Sequence, residues 1–274
     1  MSAAAELFNQ ALFLSLLSTT AVGRQVEYLS AGCSSTMDVA ASLASPQHGT
    51  LVLAESQTAG RGRVEGRRWQ SAAEGNLYFT LVVRPSSIAQ LRSSNLSAAV
   101  AVTAACREMG VPHAAAKWPN DVWIGRRKAA GMIVDSAVTG GDILARVGIG
   151  INVNQRVFPQ PEGDQLQPAD SAAPTSLASE LGRDVSREHL LASFCNRFEP
   201  LFLDDPRHVL AAYRTLEFLH KESQVTVMPK KREDPLRVIA TPLGISDDGL
   251  FVVRYPDGSR HELIAEEITV RPLS

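Results

Sequence analysis

Between Val122 and Val153 the chain repeatedly runs a short apolar stretch into a turn and back out. Val122–Ile124 and Lys128–Asp135 flank the tight turn Gly125-Arg126-Arg127, and Thr139-Gly140-Gly141-Asp142 leads into Ile143–Val153. Glycine-bearing turns between β-forming runs join antiparallel neighbours, so this stretch constrains the chain to a sheet. Upstream, Thr50–Ala54 and Asn76–Val83 are also rich in β-formers, with Pro85 ending the second. Asn95–Met109 carries an alanine-rich helix pattern; Ser94 or Asn95 can cap its start, and Gly110 with Pro112 stops it. Thr175–Gly182 and Ser186–Leu203 read as further helices, after a proline-bearing loop at Gln155–Pro174. Helices before and after a run of strands predict an α+β fold, a mixed but mostly antiparallel sheet with flanking helices. After Lys221 the pattern changes to short strands at Val225–Met228, Leu236–Gly244, Leu250–Tyr255 and His261–Ala265, with Asp248-Gly249 and Asp257-Gly258 as hairpin turns. That change predicts a larger unit over 1–220, of which 1–27 form an N-terminal extension or helix, and a separate small β-barrel over 221–274. With 274 residues, 45% of them hydrophobic, the chain can fill such a core.

Charge narrows the partners. The formal net charge is −2, so the chain lacks the basic excess that general nucleic-acid affinity needs. Its arginines are clustered locally instead, at Arg61, Arg63, Arg67 and Arg68 and again at Arg126 and Arg127 beside Lys128. The three cysteines, Cys33, Cys106 and Cys195, are far apart and form no CxxC pair. Buried, inert thiols in a reducing compartment are the expectation, which fits a cytoplasmic protein. The apolar stretch Leu7–Val22 is interrupted by Asn9, Gln10, Ser15 and Ser18 and is too short to span a membrane. A surface helix with one face on the core is the expectation there.

The motif that carries chemistry is Glu55–Trp69, ESQTAGRGRVEGRRW, directly after the strand-like run Thr50–Ala54. Arginine pairs its fixed fork of donors with phosphate or carboxylate oxygens, and glycine lets the backbone approach a ligand closely. A loop built from both suits a phosphate-bearing molecule. Lys117 opens KWPND and Lys128 opens a segment with the small residues Ala129-Ala130-Gly131; an ammonium at either place can offset charge developing on a carboxylate or phosphate. A solvated surface lysine is the plainer reading of each taken singly. Gly148-Ile149-Gly150 begins like a dinucleotide fingerprint but lacks the third glycine and lies inside a strand pattern. No GxxxxGK[ST] and no GxSxG occur.

GRGRVEGRRW, KWPND, RKAAGMIVD and GIGINVN, in this order and spacing, resemble the biotin protein ligases. The resemblance covers the chain from about Ser34 to the C-terminus. It implies a catalytic domain related to lipoate ligases, followed by a small SH3-like barrel. It implies ATP and biotin as substrates, Mg²⁺ as cofactor, and the biotinyl domain of a biotin-dependent carboxylase as protein partner. By the same resemblance, Ser35, Thr36, Gln57, Arg61, Gly62, Arg63, Lys128 and Gly131 contact biotin, and Arg61, Trp69, Lys117, Asn120 and Asn152 contact the nucleotide. Arg63, Lys117 and Lys128 are the implied catalytic residues, with Lys128 on the biotin carboxylate. Met37 stands where the family has an asparagine after Ser-Thr, and the loop carries one residue more before Gly66. For Asp121, turn capping and a part in catalysis are both open. Some members of the family add an N-terminal helix-turn-helix. The residues before Ser35 offer no such pair, so the expectation is the monofunctional type, without DNA or membrane partners.

Two rival readings follow from the same residues. A lipoate or octanoate ligase would share the fold. A binding module whose arginine loop holds RNA would need stacking aromatics that are scarce near the loop.

Overall fold

The computed structural model of the chain describes residues 6–63, 68–73, 75–158, 173–229, 237–265 and 268–273. Seven strands form one mixed sheet: β1 (Val26–Leu29), β2 (Leu51–Ala54), β3 (Leu77–Val83), β4 (Ala114–Lys117), β5 (Asp121–Ile124), β6 (Arg127–Thr139) and β7 (Asp142–Ile151). Their spatial order is β1-β2-β3-β7-β6-β5-β4. Only β1 and β2 run parallel; every other neighbour is antiparallel.

The period-2 alternation of strand side chains gives the sheet two different faces. On β3, Leu77, Phe79, Leu81 and Val83 enter the main core. This core lies under helices α3 (Ile88–Glu108), α5 (Arg187–Leu203) and α6 (Pro206–Leu216), to which α1 (Gln10–Leu16) adds Phe13. Phe194, Phe198 and Phe202 recur every fourth residue of α5 and stack one on the next at 5.5 and 5.6 Å, with Phe79 set edge-on against Phe194. Among the described residues the opposite face carries one short helix, α2 (Thr36–Ser42), and a small cluster in which Ala40 meets Val52 and Val82. One face is thus closed by helices and the other left available for a site.

Several sequence expectations are corrected here. The helix expected at Asn95 starts seven residues earlier. Ser87 is its cap and accepts from the Gln90 N–H, while Ser93 and Ser94 lie inside the helix and return their hydroxyls to the Gln90 carbonyl. Polar serines read as a boundary in sequence because their back-bonding to the helix is invisible there. Strands β1 and β4 and helix α6 had no sequence expectation. β4 is AAAK, a composition that says helix, and it is a strand because it pairs with β5 at the sheet edge. The N-terminal helix is shorter than Leu7–Val22: Asn9 caps it and Leu17 is already extended.

The second sheet is built from β8 (Val225–Pro229), β9 (Val238–Ile245), β10 (Phe251–Arg254), β11 (Arg260–Leu263) and β12 (Ile268–Pro272) in the order β11-β10-β9-β8-β12. The expected closed barrel is corrected to an open antiparallel sheet with β11 and β12 outermost among the described residues. Both Asp-Gly turns fall where expected, with Gly249 at φ 78° and Gly258 at φ 87°. Its inner residues Val225, Val227, Phe251 and Val253 join the main core rather than forming one of their own. Trp118 is the seam: its ring stacks on Phe251 at 5.7 Å and its Nε1 donates to the Gly249 carbonyl at 3.1 Å. No helix among the described residues is long and apolar enough to cross a membrane.

Candidate active site

The less covered face of the large sheet is hollowed by glycines. Gly131 and Gly150 sit directly opposite each other across β6 and β7, and Gly148 pairs with Ile133 one step along the same face. Side chains here would fill the hollow: a Cβ on Gly150 would lie 2.5 Å from Trp69 Nε1, and one on Gly148 would lie 2.6 Å from Met37 Sδ. The glycine pair that began like a dinucleotide fingerprint is therefore a floor. Two glycines two residues apart on a strand open one face of it. The cleft above the floor is narrow as it stands, with about 60 Å³ of free space, less than a small-molecule site occupies when filled.

Ser35, Thr36, Gln57, Arg61, Gly62, Arg63, Trp69, Asn120, Lys128 and Gly131 all line this one cleft. Lys117 and Asn152 do not. Asn152 is buried and its Nδ2 donates to the Thr175 carbonyl at 3.0 Å, tying the end of β7 to the chain leading into α4 (Leu177–Leu181). Sequence reasoning missed Met132, Ile133, Gly148, Ile149 and Gly150 as further lining.

One end of the cleft is neutral. Ser35 caps α2, its Oγ accepting from the Met37 N–H at 3.3 Å, so Thr36 begins the helix at the cleft wall. Gln57 Oε1 accepts from the Thr36 N–H at 2.9 Å and from its hydroxyl at 3.2 Å. Met37 is buried, with its thioether sulfur over Gly148 of the floor.

The other end is cationic. Lys128 Nζ lies 2.6 Å from Asp121 Oδ1 and 5.2 Å from the centre of the Trp69 ring. Its backbone is pinned on both sides, the N–H donating to the Ala173 carbonyl and the C=O accepting from the Thr175 N–H, each at 2.9 Å. Asp121 is no turn cap; it pairs with Gly131 across β5 and β6 and points its carboxylate at the lysines. Burial works against ionisation of Asp121, and the ammonium groups of Lys128 and Lys117 outweigh it, holding its carboxyl below the usual range. Lys117, only 3% exposed, pairs with Asp121 across β4 and β5 and so shares the cleft's face of the sheet without lining the cleft, its Nζ 5.4 Å from the centre of the Trp123 ring. Burial pushes its ammonium down to about 7 against the pull of Asp121, helped by the positive field of Arg271, Lys128 and Arg63. Burial lowers the Lys117 ammonium and the neighbouring cations lower the Asp121 carboxyl, so the two shifts share a direction for different reasons. Arg61 forms an ion pair with Asp38 of α2, and Arg63 donates to the Ala265 carbonyl, so the second sheet reaches the loop. Val64, Glu65, Gly66 and Arg67, with the extra residue before Gly66, lie outside the described residues. Trp69 rests on the glycine floor with its Nε1 buried and no acceptor for it among the described residues. Asn120 exchanges hydrogen bonds with Met132, Nδ2 donating to the Met132 carbonyl at 2.7 Å, which fixes the KWPND turn against β6.

Of the thiols, Cys106 and Cys195 are buried and pushed up by burial, Cys106 to about 12. Cys33 is only half-buried, a correction to the expectation of three buried cysteines. Among the described residues no three His, Cys, Asp or Glu side chains gather to hold a metal ion.

A slot with neutral hydrogen-bonding groups at one end and lysine and arginine cations at the other defines a site for an elongated acid joined to a phosphate-bearing partner, the class of acyl-activating ligases. The sequence profile of the biotin/lipoate A/B protein ligase family matches residues 30–154. The bifunctional ligase/repressor BirA of Bacillus subtilis (strain 168) is 30% identical over 248 residues, covering 88% of this chain and 73% of that protein. The biotin protein ligase of Leishmania major, solved in complex with biotinyl-5-AMP, superposes with a TM-score of 0.57 at 27% identity, covering 88% of this chain and 99% of that one. The biotin protein ligase of Aquifex aeolicus, solved in complex with biotin and ATP, shares the fold with a TM-score of 0.72 at 24% identity, covering 91% of this chain and 100% of that one. The chain belongs to the biotin protein ligases of the biotin/lipoate A/B protein ligase family.

Proposed function

We propose that the protein activates biotin with ATP to biotinyl-5′-AMP and transfers the biotinyl group to a lysine of a carboxylase biotinyl domain. The observation that carries this is the polarity of the cleft, with hydrogen-bonding groups for a urea at the Thr36 and Gln57 end and an ammonium for a carboxylate at Lys128. In the first step a biotin carboxylate oxygen attacks the α-phosphorus of ATP, an acyl–phosphate bond forms and pyrophosphate leaves. Lys128 orients the carboxylate, and Arg61 and Arg63 offset the charge on the phosphates. Lys117 acts from beside the cleft, buried next to Asp121, through its field on that carboxylate and the cleft. Trp69 moves from the glycine floor to pack beside the adenine, with Asn120 holding the turn and Asn152 acting from the second layer. In the second step the neutral amine of the acceptor lysine attacks the acyl carbon, AMP leaves and the amine loses a proton to solvent. The site's main contribution is to hold reactants together and exclude water from a labile anhydride.

Mg²⁺ would be carried by the ATP phosphates, where it would offset their charge. Asp121 already faces two ammonium groups and offers no free carboxylate for a resident ion. We assign 1–220 as the catalytic domain and 221–274 as the C-terminal domain. The cytoplasm, where unpaired thiols persist, is the location this reading implies. The test is transfer of labelled biotin to a biotinyl domain, run beside labelled lipoate. The expected result is biotin transfer with AMP and pyrophosphate as products; ADP as product, or preference for lipoate, would overturn the reading.

A further inference from the structure

A one-way chain of hydrogen bonds runs behind the neutral end of the cleft, and its outer members do not line the cleft. Ser71 Oγ donates to the Trp69 carbonyl at 3.1 Å and accepts from Gln57 Nε2 at 2.9 Å. Gln57 Oε1 accepts from the Thr36 hydroxyl, whose oxygen in turn accepts from Thr80 Oγ1 at 2.9 Å. Ser71 and Thr80 are both buried, Thr80 completely.

The direction of this chain follows from its last member. A carbonyl can only accept, and a serine hydroxyl has one proton. The Trp69 carbonyl takes that proton, so Ser71 Oγ is left as an acceptor and must face the amide nitrogen of Gln57. The amide oxygen is thereby turned to Thr36, whose N–H and hydroxyl both need an acceptor. Thr36 then has no proton left to give, and the Thr80 hydroxyl must donate to it. Two capacities remain unused: a lone pair on Thr36 Oγ1 and the second N–H of Gln57 Nε2. Both side chains line the cleft. An acceptor beside a donor is the complement of a urea edge, with its N–H beside its C=O.

We propose that Ser71 and Thr80 are positioning residues that set the donor and acceptor polarity of Gln57 and Thr36, and so select a urea-bearing acid. The proposal rests on the biotin reading above. Ser71 also pins the exit of the arginine loop. Its carbonyl accepts from the Gln57 N–H at 3.0 Å, and its hydroxyl holds the carbonyl of Trp69, whose own N–H donates to the Gly60 carbonyl at 3.0 Å. The same serine therefore joins the ureido end to both arms of the loop.

The test uses the full chain with Ser71→Ala, Thr80→Val and Thr80→Ser. Steady-state adenylate formation is followed by pyrophosphate release, with biotin and ATP varied separately, beside calorimetric titration of biotin. Losing one oriented hydrogen bond weakens a buried contact by about tenfold. The expected result is a biotin KM and Kd raised about tenfold in Ser71→Ala and Thr80→Val, with kcat and the ATP KM within about twofold of wild type and recovery in Thr80→Ser. Unchanged biotin affinity in both variants would overturn the proposal. So would a parallel loss of kcat and ATP affinity, which is the mark of general loosening. Failure of the wild-type protein itself to bind biotin overturns the functional reading as well, and is distinguished by appearing before any substitution.

Discussion

The two ends of the cleft are made differently. At the neutral end, Ser35, Thr36, Gln57, Ser71 and Thr80 sit on a helix cap, a strand and paired strand-like segments, and their polar groups are already bonded to one another. At the cationic end, Arg61 and Arg63 hang from a loop and are held by borrowed partners, the Asp38 carboxylate and the Ala265 carbonyl. On the proposed function, those partners compete with ligand oxygens for the arginine donors. On the same reading the neutral end recognises a ligand with no change in its own bonding. The cationic end, on that reading, exchanges protein oxygens for ligand oxygens, so its state depends on what is bound. A reactive mixed anhydride needs such an arrangement, since recognition can be permanent while sequestration cannot.

The sharpest way to break this comparison is Lys128→Ala. A positioned cation of this kind is worth about a hundredfold in rate, so single-turnover adenylate formation should fall by about that factor at saturating biotin. Wild-type rates would return Lys128 to a mere partner of Asp121.

Lys117 tests whether the cationic end is strained by burial. An amine whose folded pKa is about 7 against an ordinary 10.5 binds more protons unfolded than folded between those values. Stability contributed by this group is therefore lowest at and below pH 7 and rises with pH above it. Between pH 7 and 9 the gain is roughly 2 kcal/mol, from about 1.4 kcal/mol per unit. Denaturant melts of wild type should show this rise and melts of Lys117→Met should lose it; parallel pH profiles would contradict the buried ammonium.

Arg63→Gly removes the contact to Ala265 and opens the loop toward solvent. Bystander proteins should then acquire biotin roughly tenfold faster, because the adenylate escapes a site that no longer closes over it. Blotting with a biotin-binding probe measures this, and unchanged selectivity in a variant that still makes adenylate would show another means of retention. The smallest effect belongs to Asp38→Asn. Arg61 and Asp38 are 49% and 40% exposed, so their pair is largely screened. Freeing Arg61 should lower the ATP KM by about two- to threefold, and a raised KM would mean that Asp38 orients the arginine rather than competing for it.

Much of this was legible in the sequence, and the pattern of success follows the chemistry. The turns at Gly125 and Gly140 set the β5–β6–β7 register, and the arginine loop, KWPND and RKAAG marked residues that do line one cleft. What local pattern could not give was position relative to the cleft. Lys117 and Lys128 look alike in sequence, and the β4–β5 and β5–β6 registers put both on the cleft's face of the sheet, yet Lys117 is buried beside Trp123 at the sheet edge while Lys128 lines the cleft. Ser71 and Thr80 carry no motif, because an ordinary serine and threonine acquire meaning only through the partners that the fold supplies. β4 was missed since edge pairing overrode an alanine-rich propensity, and the second sheet's open order depends on long-range pairing of β8 with β12.

The most direct measurement is a pair of calorimetric titrations of the free protein, one with biotin and one with an ATP analogue that cannot release pyrophosphate, each repeated with the other ligand present. If one end is prebuilt and the other is assembled by ligand, biotin binds the free protein without nucleotide, and the analogue binds at least about tenfold more tightly once biotin is in place. An analogue that binds the free protein as tightly as the biotin-loaded one would contradict the account.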